Sequence, residues 1–192
     1  MNKFTILGIF AIILLRFQAL ADKSCIAAAN ASEHVQNCCK VPPTGDPKVI
    51  EAVIKEHPEV NNNTYKLGHC LLAKYYMTKL NLTKLKSEDI KNYVRVIFKE
   101  PEWIEAMDRA TDQCLELQPK YIKAFQKHYK ITDDECDLRY ETFMVCMIMF
   151  TFKECPSKDV INVDKCKSTK NFFENCVTDG EAFISYIEKH NI

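Results

Sequence analysis

Along most of the chain, apolar positions recur every three or four residues, the spacing that lines side chains up on one side of an α-helix. Asp46 and Pro47 read as the cap and first position of one such run; Val49, Ile50, Val53, Ile54 and His57 share its face, and Pro58 ends it. Before it, a short polar helix is expected to run to Cys38-Cys39 and stop ahead of Pro42-Pro43. The stretch from about Thr64 to Leu80 repeats Cys70, Ala73, Met77 and Leu80, so Cys70 is expected to face a core. Ser87 reads as the cap of a segment whose stripe is Ile90, Val94, Ile97 and Phe98. Pro101 opens a helix to Leu117 with Trp103, Met107, Ala110 and Cys114 on its buried face, and Tyr121, Phe125 and Tyr129 mark a shorter helix beyond Pro119.

Thr132-Asp-Asp-Glu135 has the form of a capping box and leads into the most apolar helix of the chain, centred on residues 143–150. Phe143, Cys146, Met147 and Phe150 fall on one side of it and Met144, Ile148 and Phe152 on another, so it is expected at the centre of the bundle. After Cys155-Pro156 come a helix around Asp164–Cys176 and a second capping-box form, Thr178-Asp-Gly-Glu181, ahead of Phe183, Ile184, Tyr186 and Ile187. No strand pattern or internal repeat competes with these helices, and only four glycines are available for tight β-hairpins.

The N-terminus follows a different rule. Lys3, an apolar run from Phe4 to Leu15, and Ala19-Leu20-Ala21 have the order of a secretory signal, so residues 1–21 are set aside as a signal peptide and residues 22–192 as one helical domain. Arg16 keeps the apolar run well below the roughly 20 residues a membrane span requires. Removing Lys3 and Arg16 leaves 24 basic against 26 acidic residues, a net charge of −2 that gives no sign of nucleic-acid binding. All ten cysteines lie beyond the cleavage point, and an even number in a secreted chain points to five disulfides. With no CxxC pair, no metal site or cofactor is expected. Three sequons, at Asn30, Asn62 and Asn81, fit the secretory route.

Catalytic chemistry finds little support. His69 adjoins Cys70, but neighbours on a helix point about 100° apart and a paired cysteine has no thiolate to offer. Lys40-Val41-Pro42 follows Cys38-Cys39 where a secreted phospholipase would place its catalytic His-Asp. The acids Asp133, Asp134, Glu135 and Asp137 suit the positive end of a helix. The chain is therefore expected not to be an enzyme. What remains is a large supply of aromatic and methionine side chains, suited to an adaptable apolar pocket. Tyr76, Val94, Phe98, Trp103, Met107, Phe125, Phe143, Met147 and Phe150 are the candidate ligand-contacting residues, although the same stripes would equally build a solid core.

The cysteine spacing resembles that of the insect odorant-binding proteins, specifically the cysteine-rich Plus-C subclass. Cys39, Cys70, Cys114, Cys146 and Cys155 match the first, third, fourth, fifth and sixth family positions; Cys136 takes the place of the extra cysteine; Pro156 follows the sixth; and Cys166 and Cys176 lie in a C-terminal extension of about residues 156–192. The second family position falls on Lys66. The resemblance implies an all-α bundle of about six to eight short helices, cross-linked by disulfides around an apolar cavity. It implies the bridges Cys39–Cys70 and Cys114–Cys155, with Cys38 a rival for Cys39 and Cys146 left without its usual partner. By the same resemblance, the function is transport in olfaction: a secreted, extracellular carrier that reversibly binds small hydrophobic ligands such as odorants or other semiochemicals, Tyr76, Tyr121 and Tyr129 being candidates for the polar contact. A membrane receptor or another secreted protein would be its macromolecular partner. Release on acidification, proposed for some members, would draw on His57, His69 or His128. The alternative is a secreted disulfide-rich interaction protein with a solid core and no small-molecule pocket.

Overall fold

The computed structural model describes residues 23–42, 47–58, 65–132, 136–161, 164 and 166–190, apart from the side chains of residues 35 and 65–68. The signal segment, Asp46, Asn62, and Asp133 to Glu135 lie outside the described residues. Among those described there are eight α-helices and no β-strand: α1 (residues 23–31), α2 (Pro47–Glu56), α3 (Tyr65–Lys79), α4 (Ser87–Ile97), α5 (Pro101–Tyr129), α6 (Leu138–Lys153), α7 (Lys167–Asn175) and α8 (Gly180–His190). No helix among the described residues is long and apolar enough to cross a membrane.

Helix α6 is the hub, packing on α5, α3, α7 and the short 3₁₀ turn Val35–Asn37. Ten of its sixteen residues are buried, as expected of a helix that is apolar nearly all round. Its cap differs from the expected one: Asp137 is the N-cap and its carboxylate accepts from the Arg139 backbone N–H at 3.1 Å. Asp179, rather than Thr178, likewise caps α8 by accepting from Glu181 and Ala182 at 3.0 and 2.8 Å. Ser87 is not a cap either: it is the first residue of α4 and donates its hydroxyl to Asp112 on α5.

The largest departure from the sequence reading is α5, a single 29-residue helix that runs through Pro119. A mid-helix proline costs about 3 kcal/mol. Against that, Cys114, Tyr121 and Phe125 are all nearly inaccessible and lie on one continuous stripe across the proline, so a break would misplace the whole face. Helix α1 is shorter than expected. It ends at residue 31, and Cys39 instead meets Val160 in an isolated antiparallel bridge, with Lys40 N–H donating to the Asp159 carbonyl at 2.8 Å.

Five disulfides cross-link the bundle: Cys25–Cys176, Cys38–Cys166, Cys39–Cys155, Cys70–Cys136 and Cys114–Cys146. The pairings Cys39–Cys70 and Cys114–Cys155 do not form. Cys38 is in the turn that follows Val35–Asn37, and Cys39 in the isolated bridge to Val160. Cys39 meets Cys155 just after α6, while Cys38 reaches Cys166 before α7. Cys114 and Cys146 meet where α5 and α6 pack, which gives Cys146 a partner, and Cys70 on α3 meets the segment that leads into α6. The C-terminal extension is thereby tied to the N-terminal segment. Thr169 accepts from the Glu33 N–H at 2.7 Å, and Tyr186 donates to the Glu33 carbonyl at 2.9 Å.

Candidate functional site

The axis of the site is the stripe Phe143, Met144, Met147, Ile148 and Thr151 on α6, which draws on both apolar faces of that helix. Opposite it stand Leu72, Tyr76, Met77 and Leu80 of α3, then Ile90, Tyr93, Val94 and Ile97 of α4, with Phe98, Met107, Leu82 and Val41 completing the enclosure. The cavity between them measures about 360 Å³. Four of the six methionines of the chain line it: Met77, Met107, Met144 and Met147. Unbranched and polarizable, these side chains change shape at little cost.

Ile50 of α2 and Ile148 of α6 also border the cavity, yet they are 36 % and 39 % exposed, so the opening lies between these two helices. Gln36 is exposed at the same rim. Inside, polar groups are few. Thr151 donates its hydroxyl to the Met147 carbonyl at 2.6 Å. The hydroxyls of Tyr76 and Tyr93 meet each other at 3.3 Å, and no described residue that lines the cavity is charged. A depression of similar size, about 380 Å³, lies at Ile122, Asp137, Leu138 and Arg139. There the Arg139 guanidinium beside Asp137 holds its carboxyl below the usual range, and this ion pair makes the depression the poorer site for an apolar molecule.

Of the candidate residues, Tyr76, Val94, Phe98, Met107, Phe143 and Met147 line the cavity. Trp103, Phe125 and Phe150 do not. Trp103 is 1 % exposed, stacks near Phe98, and donates its indole N–H to Asp159 at 2.9 Å, which makes it a core anchor behind the wall. Phe125 packs with Phe183 of α8 and Tyr129, on the same stripe of α5 as Met107 but about five turns further along the helix. Phe150 is fully buried, with the Lys153 ammonium over its ring. Tyr121 and Tyr129 are also elsewhere: Tyr121 stacks on Phe183 and donates to the Val177 carbonyl at 2.8 Å. Leu80 and Ile90 lie on the stripes read from the sequence and Met144 and Ile148 on the second apolar face of α6, whereas Leu72 and Tyr93 were on no stripe; periodicity does not say which of two buried sides, or which stretch of one, faces a void.

Cys70 is bonded to Cys136, so His69 has no thiol beside it; burial lowers the pKa of this histidine. His57 stacks on Tyr75, and His128 meets the Glu188 carboxylate at 2.8 Å. None of the three lines the cavity.

The chain matches no family model, curated protein or solved structure. The functional reading therefore rests on the cavity and on the cysteine spacing.

Proposed function

We propose that this protein is a secreted carrier of small apolar molecules, in keeping with its resemblance to the Plus-C odorant-binding proteins. The observation that carries the reading is the 360 Å³ cavity, open at one rim and lined among the described residues by aliphatic, aromatic and methionine side chains with no charge. At about 30 Å³ per small heavy-atom group, this space holds roughly twelve such groups. Ten buried methylenes at about 0.8 kcal/mol each yield about 8 kcal/mol, which corresponds to a dissociation constant near 1 μM. Reversible micromolar binding is what a carrier requires.

The five disulfides support an oxidising destination, and they counter the tendency of a bundle with an internal void to collapse or unfold. The solid-core interaction protein is the second reading, and the cavity favours the carrier over it. The test is a titration of the oxidised protein with the apolar fluorophore N-phenyl-1-naphthylamine. Saturable binding of one probe per chain, displaced by medium-chain alcohols, is expected. An intact helical circular dichroism spectrum with no saturable binding would overturn the proposal.

A further inference from the structure

The cavity holds few buried polar groups, and the chemistry of one of them restricts what can fill the space. Tyr76 on α3 is 6 % exposed, and its hydroxyl is 3.3 Å from that of Tyr93 on α4. Hydroxyl pairs ordinarily close to 2.7–2.8 Å. The contact is thus loose, and it uses at most one donor and one acceptor. If Tyr76 accepts, its own O–H remains to donate; if it donates, its lone pairs remain. A buried hydroxyl whose capacity is underused favours a partner, because water is excluded from much of its surface. The other enclosed hydroxyl, on Thr151, is already committed to the Met147 carbonyl.

Charge sets the second restriction. No Lys, Arg or His is among the described residues that line the cavity, so an anion entering it would lose its hydration and meet no cation. A carboxylic acid of ordinary pKa would have to enter as the neutral form, which at pH 7.4 is about one molecule in a thousand. An alcohol suffers no such loss, and it both donates and accepts, so it matches either arrangement of the Tyr76 proton.

Resting on the carrier reading, we propose that Tyr76 is the specificity-determining residue of the cavity and that it selects an uncharged medium-chain alcohol over the carboxylate of the same length. The alkyl chain lies along Met144, Met147 and Phe143, and the oxygen reaches Tyr76.

The test is competition against bound N-phenyl-1-naphthylamine at pH 7.4 with 1-decanol, decane and decanoate, using the oxidised wild-type protein and Tyr76→Phe. Decanol is expected to displace the probe at a concentration at least about 100-fold below that needed for decanoate. Decanoate should gain affinity as the pH falls toward 5. In Tyr76→Phe, decanol is expected to weaken about 3- to 10-fold relative to decane measured on the same variant. Equal binding of decanol and decanoate, or an unchanged decanol affinity in Tyr76→Phe, would overturn this selection while leaving the carrier reading in place. A wild-type protein that folds and binds no probe would overturn both. Because the decanol–decanoate comparison needs only the wild type, the selection remains testable if the variant misfolds.

Discussion

Glu141 carries a carboxyl group into the packed part of α6, one turn before the buried Val145. Its Oε2 is sealed from solvent and has no hydrogen-bond partner, and burial pushes its pKa up to about 7. The native state therefore keeps this proton in a window where the unfolded chain, with its ordinary glutamate pKa, has released it. Between about pH 4.5 and 7 the unfolded state binds fewer protons, so stability falls as pH rises, and above 7 a constant penalty of roughly 3 kcal/mol remains. Glu141→Gln should remove most of that slope and raise the unfolding free energy at pH 8 by about 1–3 kcal/mol, measured by denaturant titration at pH 5 and pH 8. An unchanged slope would show that Glu141 is solvated. His34 and His190 act in the opposite sense. Burial lowers both, so their contribution is lost as pH falls below the ordinary histidine range, and wild type and variant must be compared at each pH. Trp103 shows why single residues were hard to assign from the chain alone. Its place in a stripe was legible, but Asp159, its hydrogen-bond acceptor, lies 56 residues away. Trp103→Phe should cost about 1–3 kcal/mol by leaving Asp159 without this donor, yet change the affinity for the naphthylamine probe little, because the ring is behind the wall rather than in it.

At the scale of elements, most helices could be read from spacing, prolines and polar first turns, and α2 to α4 and α6 to α8 fall close to where the stripes place them. Caps and breaks were less legible. Neighbouring Asp, Thr and Ser compete for the same position, and a proline breaks a helix only when nothing packs across it, which is not the case at Pro119. Gly180 at the start of α8 illustrates a further kind of information that spacing lacks. A Cβ placed there would be 2.9 Å from the Ala124 Cβ of α5, so the missing side chain is what lets the two helices approach. Gly180→Ala should lower the unfolding free energy by about 1–3 kcal/mol and displace α8, read as a drop in melting temperature. Helix α2 contrasts with the stapled elements. Val53 is its only buried side chain, it carries no cysteine, and it packs chiefly on α3 while bordering the cavity mouth through Ile50. Its amides should exchange with deuterium at least about tenfold faster than those of α5 and α6, and exchange should slow when the probe binds. Equal protection in all three helices would contradict this.

For the whole molecule, the all-α class and the use of ten cysteines in five disulfides were legible in composition and pattern, whereas connectivity was not. Bridges here close separations of 32 to 151 residues, and which cysteines meet depends on how the N-terminal segment and the C-terminal extension fold back onto α5 and α6. The short bridge between Cys39 and Val160 leaves no periodic trace in the sequence. The cavity was legible as a supply of apolar and methionine side chains, and its position as the side shared by α3, α4 and α6 was only partly so. Three of the nine candidates lie elsewhere because a stripe does not say where along its length a void opens: Trp103 and Phe125 share the α5 stripe with Met107, and Phe150 shares the α6 stripe with Phe143 and Met147.

The most direct measurement is the affinity of N-phenyl-1-naphthylamine for the wild type and for Met144→Trp, in which an indole replaces a half-buried cavity side chain, with exposed Val96→Ser as the control. Micromolar binding to the wild type and to Val96→Ser is expected, with at least a tenfold loss in Met144→Trp while the helical spectrum is retained. Undiminished binding in Met144→Trp would place the probe outside this cavity and contradict its assignment as the carrier site.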